Sequence, residues 1–368
     1  MTRSGRPDSP ARRSRHRRSA GGRHSRVISL ALSAAALLAA GGLTAWALSG
    51  TAPARSAGAD RAAAPSRTSA APSPTPAASP SPPERLPVGT IGSYQVAGHG
   101  FVFVDRSRAG LGPRVLPTFV RYPVIPAAAS GRLARGLFPL VVFAPGYTQC
   151  QSSYATLLRA WASAGYVVAG VDFPRTNCHV ANPDENDLVN QPRDMSYVIR
   201  QVVAVSGRPR GFLAGLVDPA RIAVAGHSDG GDTVAAVAAN TCCHDPAVAA
   251  AMVFSGAEWP PMAGSYFRAA TPPILFVQGD ADTINPPADS VTMYQADTTG
   301  PRFYLDLFGQ GHVPPYESQV PAALVVARVT VEFLDRYLAD QPQAAAAMRQ
   351  DADVAGVATL VSGSQAAP

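Results

Sequence analysis

The sequence predicts an α/β fold, a mostly parallel central sheet with helices on both faces. Three observations carry this. Short, continuous apolar runs bounded by Gly or Pro recur along the chain, as in strands buried on both faces. Segments with helical apolar spacing separate them. The alternation fills residues 87–340, which signals βαβ units rather than separate helical and sheet domains.

The elements follow in order. SYQVAGHGFVFVDRS and RVLPTFVRYPV read as two strands with turn residues between them, placed to form an antiparallel edge. LFPLVVFAP (137–145) is a buried strand, and residues 152–164 a helix. YVVAGVDF (166–173) is the next strand, followed by a helix over 187–206. RIAVA (221–225) leads into a helix over 230–240. VAAAMVFS (248–255), ILFVQ (274–278) and FYLDL (303–307) are strands, and residues 321–339 form a closing helix. Residues 341–368, rich in Ala and Gln, are expected to be a flexible tail, apart from an Ala-rich helix that the run of alanines would allow. Fewer than 20 residues separate the strand ending near Ser255 from the one starting near Ile274, which leaves no room for a lid domain.

The chain ahead of this domain has another character. The protein has 368 residues and a formal net charge of +6, which alone would suggest an anionic partner. The charge is not spread evenly. Residues 1–26 carry nine Arg and one acid, whereas the other 342 residues carry 22 Arg and 24 acids. The body is therefore near neutral, and a nucleic-acid partner is not expected. Residues 27–49 (VISLALSAAALLAAGGLTAWALS) hold no charge and are long enough to cross a bilayer, which takes about 20 residues. Arginines on one flank orient the segment with its N-terminus in the cytoplasm and the following chain exported. Its length favours a retained anchor. Ala45-Trp46-Ala47 and Ala52-Pro53-Ala54 have the form of cleavage sites and keep a cleaved signal peptide open. Residues 50–86, mostly Ala, Pro and Ser, form a spacer too poor in apolar side chains to fold.

In a parallel sheet the chemistry gathers at the carboxyl ends of the strands. Gly226-His227-Ser228-Asp229-Gly230 sits there, between the strand RIAVA and a helix. This G-x-S-x-G turn lifts a serine hydroxyl above the sheet when a strand precedes it and a helix follows. A serine needs a base to take its proton, and the base needs a carboxylate to hold its tautomer. The strand 303–307 runs into Phe308-Gly309-Gln310-Gly311-His312, which makes His312 the candidate base. The strand 274–278 runs into Gly279-Asp280-Ala281-Asp282, and Asp282 has the reach to turn back toward the histidine, with Asp280 bracing the loop. Two main-chain N–H groups are expected to receive the developing oxyanion. One belongs to Asp229, after the nucleophile, and the other to Tyr147, in the Pro145-Gly146-Tyr147-Thr148 loop after the strand 137–145.

These segments resemble the α/β-hydrolase superfamily, and within it the branch of cutinase-like polyester hydrolases, chlorophyllase-like and platelet-activating-factor-acetylhydrolase-like esterases and dienelactone-hydrolase-related proteins. The matching stretches are 139–174, 221–233, 274–287 and 308–316. The resemblance implies an α/β-hydrolase fold. It also implies that Tyr147 presents an aromatic surface to the acyl part of a substrate. A tryptophan follows the strand after the nucleophile helix in that branch, and Trp259 in SGAEWPP corresponds to it at a different spacing. Asp229 departs from the polyester hydrolases, which usually carry Met there, and brings a charge to the cleft.

The expected function is a serine ester hydrolase, acting as a monomer on a small-molecule, lipid or polymer ester. It stands outside the cytoplasmic membrane, tethered or released. Acyl transfer to an envelope alcohol or sugar would use the same residues. A non-catalytic binding domain on the same fold is the alternative outside catalysis. No cofactor is expected, since neither a phosphate-binding loop nor zinc-ligand spacing is present. The four cysteines allow three pairings. Cys150 and Cys178 follow strands expected to be neighbours, which favours a disulfide between them and leaves Cys242 and Cys243 as a vicinal pair or free thiols.

Overall fold

The computed structural model describes residues 84–125, 136–363 and 367, all within one unit, Ala77–Pro368. The arginine-rich tail, the apolar segment 27–49 and most of the spacer lie outside the described residues. Among the described residues no helix is long and apolar enough to cross a membrane.

Among the described residues nine strands form a single sheet: β1 Gln95–Asp105, β2 Arg114–Val124, β3 Phe138–Ala144, β4 Val167–Val171, β5 Val217–His227, β6 Val248–Phe254, β7 Ile274–Gly279, β8 Arg302–Leu307 and β9 Ala358–Ser362. Their spatial order is β1-β2-β4-β3-β5-β6-β7-β8-β9. Strands β3 to β8 run parallel. The hairpin β1–β2 joins antiparallel to β4, as the edge expected from sequence. Successive side chains alternate between two cores. Leu140 and Val142 of β3 enter one, and Val141 and Phe143 the other.

Helices cover both faces. Alpha-helices α2 Gln191–Ser206, α3 Asp229–Ala239 and α4 Pro287–Ala296 supply Met195, Val198, Val234, Val237 and Met293 to the first core. The opposite core takes Leu158 and Trp161 of α1 Ala155–Ser163, and Val326 and Phe333 of α6 Pro321–Tyr337. A four-residue turn of helix, α5 Pro314–Glu317, precedes α6, and a 3-10 turn, Glu185–Asn190, precedes α2. Helix α4 escaped the sequence reading because its apolar side chains follow no strong stripe. It buries only Ser290, Met293 and Tyr294.

The expectation of a flexible tail from residue 341 is overturned. Helix α7 Ala344–Ala352 buries Ala344, Met348 and Ala352, and β9 pairs antiparallel with β8, Leu360 opposite Leu305. Small alanines pack closely where a partner surface exists, so a segment that reads as featureless in isolation becomes the outer strand and its lead-in. β6 and β7 are joined by residues 255–273, which hold no helix.

The hairpin is tied to the helical layer by buried charge. The guanidinium of Arg114 on β2 donates to Asp187 through two bonds of 2.7 Å and to Asp194 at 3.1–3.2 Å. Arg108 reaches Asp194 at 2.5 Å and Asp105 at 3.0 Å. This cluster anchors the 3-10 turn and the start of α2 beside the carboxyl ends of the strands.

Candidate active site

The segment joining β5 to α3 holds Ser228 at φ 57° and ψ −127°, a left-handed conformation costly for a residue with a Cβ. Two glycines permit the tight turn. A Cβ on Gly226 would lie 2.1 Å from the Gly230 carbonyl oxygen, and one on Gly230 would lie 2.0 Å from that of Ala144. The Ser228 N–H is held by the Phe254 carbonyl at 3.0 Å, so the neighbouring strand braces the turn.

The loops after β5, β7 and β8 bring three distant residues together. Ser228 Oγ lies 2.9 Å from His312 Nε2, and His312 Nδ1 lies 2.7 Å from Asp282 Oδ2. Asp282 is well anchored. Its Oδ1 accepts from the N–H groups of Ile284 at 2.9 Å and Asn285 at 3.0 Å, and its Oδ2 accepts from Gln278 Nε2 at 3.2 Å. Burial alone would raise this carboxyl. The His312 contact and the two N–H donors outweigh burial and hold it below its ordinary value. It therefore stays ionised facing the imidazole. Asp280 stands apart and accepts from the Gly309 N–H at 2.6 Å, bracing the loop that carries His312.

The loop after β3 packs onto the serine. A Cβ on Gly146 would touch Ser228 Cβ at 3.0 Å, so only glycine lets this strip of main chain come so near. Tyr147 follows, half-buried, and its hydroxyl donates to the Pro183 carbonyl at 3.1 Å, which spans the gap to the loop before α2. A disulfide between Cys150 and Cys178 joins the loops after β3 and β4, and the Thr148 N–H donates to Thr176 at 2.7 Å. Asp229, the first residue of α3, is 7% exposed, and its buried Oδ2 has no hydrogen-bond partner. Burial above all, and then the charge of Glu185, push this carboxyl up to about 7, while His312 and its own main-chain N–H act the other way.

Trp259 is placed differently from the other expected residues. It sits in the loop after β6, its N–H 3.4 Å from the Tyr266 hydroxyl, and borders a hollow with Glu258, Met262, Tyr266 and Phe267. None of the triad residues lines that hollow. The other two cysteines, Cys242 and Cys243, form a vicinal disulfide, so among the described residues no cysteine is free.

The sequence reading missed the residues that hold the loops together. Tyr154 on the turn into α1 donates to His227 Nδ1 at 2.8 Å and accepts from the Gly146 N–H at 3.2 Å. Asn285 donates to the Ser255 carbonyl at 2.7 Å, and Ser290 to Gln278 Oε1 at 2.7 Å. Their one visible signal is position, since each polar residue falls in or beside a loop at the same end of the sheet.

A family model described as PET hydrolase-like matches residues 122–353. The chain belongs to the PET hydrolase-like family. The match begins within β2 and ends just after α7, so it covers every strand that contributes to the triad. Among curated proteins, the chain is 29% identical over 209 residues to bis(hydroxyethyl) terephthalate hydrolase of Streptomyces coelicolor, spanning 56% of this chain and 59% of that protein. It is also 29% identical over 202 residues to cutinase 2 of Thermobifida cellulosilytica, 54% of this chain and 68% of that one. The chain thus spans a little under two thirds of the first of these relatives.

Proposed function

We propose that this PET hydrolase-like protein is a serine hydrolase of carboxylic esters working through an acyl-enzyme. The observation that carries the reading is the unbroken relay from Ser228 Oγ through His312 to Asp282, at 2.9 and 2.7 Å. The names of the relatives point the same way.

His312 Nε2 takes the hydroxyl proton as Ser228 Oγ attacks the ester carbonyl. Asp282 fixes the proton on Nδ1 and stabilises the imidazolium. The carbonyl oxygen becomes an anion, and the N–H groups of Tyr147 and Asp229 receive it, each worth roughly 2.7–4 kcal/mol in such sites. The imidazolium then gives its proton to the departing alcohol. Water, deprotonated by His312, attacks the acyl-enzyme, and the acid leaves with Ser228 restored.

The enzyme acts outside the cytoplasm, tethered by residues 27–49 or released from them. Two disulfides in the catalytic domain suit an oxidising compartment. Esters such as bis(hydroxyethyl) terephthalate, named for a relative, are the first substrates to try. The deciding experiment is p-nitrophenyl ester turnover by the full chain and by Ser228→Ala. Loss of about 10⁶ in kcat is expected if the three residues act as a unit. Undiminished turnover in the variant would sink the assignment.

A further inference from the structure

We propose that Asp229, together with Glu185 of the 3-10 turn, makes the acyl side of the cleft a charge filter that accepts neutral and cationic acyl groups and turns away acyl carboxylates. The inference rests on the ester-hydrolase reading and names the substrate class for that same site.

The leaving alcohol must lie by His312, which protonates it. The acyl group is left the other side, where Tyr147 reaches across to Pro183. Glu185 follows Pro183 by two residues and is exposed. Asp229 follows the nucleophile directly, is buried, and leaves Oδ2 without a partner. Its carboxyl feels Glu185 from the 3-10 turn and His312 from the loop after β8. On its own helix stands Asp232, which accepts from the Ala257 N–H at 2.6 Å and is in turn acted on by Asp289 of α4. Among the described ion pairs, none takes Asp229, Asp232, Glu185 or Asp289. Arg175 in the same loop region is paired with Asp184 at 3.4 Å.

Such a site lacks a fixed countercharge. A buried unpartnered carboxylate gains by meeting a cation and loses by meeting another anion, because the low-dielectric wall transmits the charge. A neutral acyl chain passes with neither gain nor loss.

Selectivity should also depend on pH. Burial and Glu185 push Asp229 up to about 7, so the filter is charged above that value and neutral below it. His312 serves every ester alike as the base, so a ratio of two substrates cancels its contribution.

The test uses the full chain and three p-nitrophenyl esters with six-carbon acyl chains: hexanoate, 6-trimethylammoniohexanoate and the adipate half-ester. At about pH 8.5 the expected kcat/KM ratio of cationic to anionic ester is on the order of 100, with hexanoate between them. The ratio should shrink at least about tenfold at about pH 5.5, and likewise in Asp229→Asn at the higher pH. Glu185→Gln, on the exposed turn, should lower it less. A ratio within about threefold of unity in the unaltered protein, or one unchanged both by pH and by Asp229→Asn, overturns the proposal. Hexanoate reports separately on the parent reading. If Ser228-dependent release from it is absent, ester hydrolysis and this proposal fall together, whereas release with a flat charge ratio removes only the filter.

Discussion

His227 Nε2 lies 2.8 Å from the main-chain carbonyl oxygen of His312. A carbonyl only accepts, so Nε2 carries the proton and Nδ1 accepts from the Tyr154 hydroxyl at 2.8 Å. Tyr154 in turn accepts from the Gly146 N–H. One buried, neutral histidine therefore links the loop before Tyr147, the turn holding Ser228 and the loop holding His312.

That role has a pH signature. Burial, and then the nearby His312, carry His227 down to about 3. Between about pH 3 and the ordinary histidine value near 6.5, the unfolded chain binds a proton that the folded chain refuses. The stability from this group is complete above about 6.5 and is lost progressively as pH falls toward 3, by on the order of 4–5 kcal/mol. Denaturant unfolding from about pH 7.5 to about pH 4 should show this steep loss. His227→Asn should be less stable at neutral pH but lose less on acidification. Parallel slopes for the two proteins would refute the account.

Asp282 and Asp280 sit two residues apart, yet only Asp282 meets His312. Asp282→Asn should lower kcat by about 10⁴, because an amide no longer fixes the catalytic tautomer. Asp280→Asn, which alters only a brace to Gly309, should cost less than about tenfold. The measurement is steady-state ester hydrolysis by both variants at matched folded concentration. Equal losses would mean that the assignment of the two carboxyls is wrong.

Arg114 answers two buried carboxylates, Asp187 and Asp194. Arg114→Met should cost about 3–5 kcal/mol, since both acids then lie buried without their main partner. Adding Asp187→Asn and Asp194→Asn to that variant should recover part of the loss. Urea unfolding of the single and triple variants reads both effects, and a triple variant no more stable than the single one would contradict the pairing argument.

A stop after Asp340 removes α7 and β9. Strand β8 then becomes an open edge, and the surface under Met348 and Ala352 is exposed to water. The truncated protein should melt lower and aggregate. A soluble fragment with an unchanged melting temperature would show the two elements to be dispensable.

The order of strands β1 to β8 and of helices α1, α2, α3 and α6, the serine turn, the candidate base and the candidate acid were legible in the sequence. Each rests on local pattern: apolar runs of strand length, glycines where the main chain must pass closely, polar residues just beyond a strand. Residues Tyr154, His227 and Gln278 were not legible as a supporting network, because their partners lie far away in the chain and hydrogen bonding between loops has no periodicity. The tail misled for a related reason. Alanine carries little apolar signal alone, and its burial depends on a surface that β8 and α6 create.

By itself, then, the sequence determined the α/β class, the Ser–Asp–His order and the placing of positive charge at one end of the chain, since these depend on residue types and short spacings. The tertiary structure alone decided that Cys242 pairs with Cys243, how Gln278 and two main-chain N–H groups anchor Asp282, and that Asp229 is buried without a partner. Those outcomes depend on the distances between loops that only the folded sheet brings together.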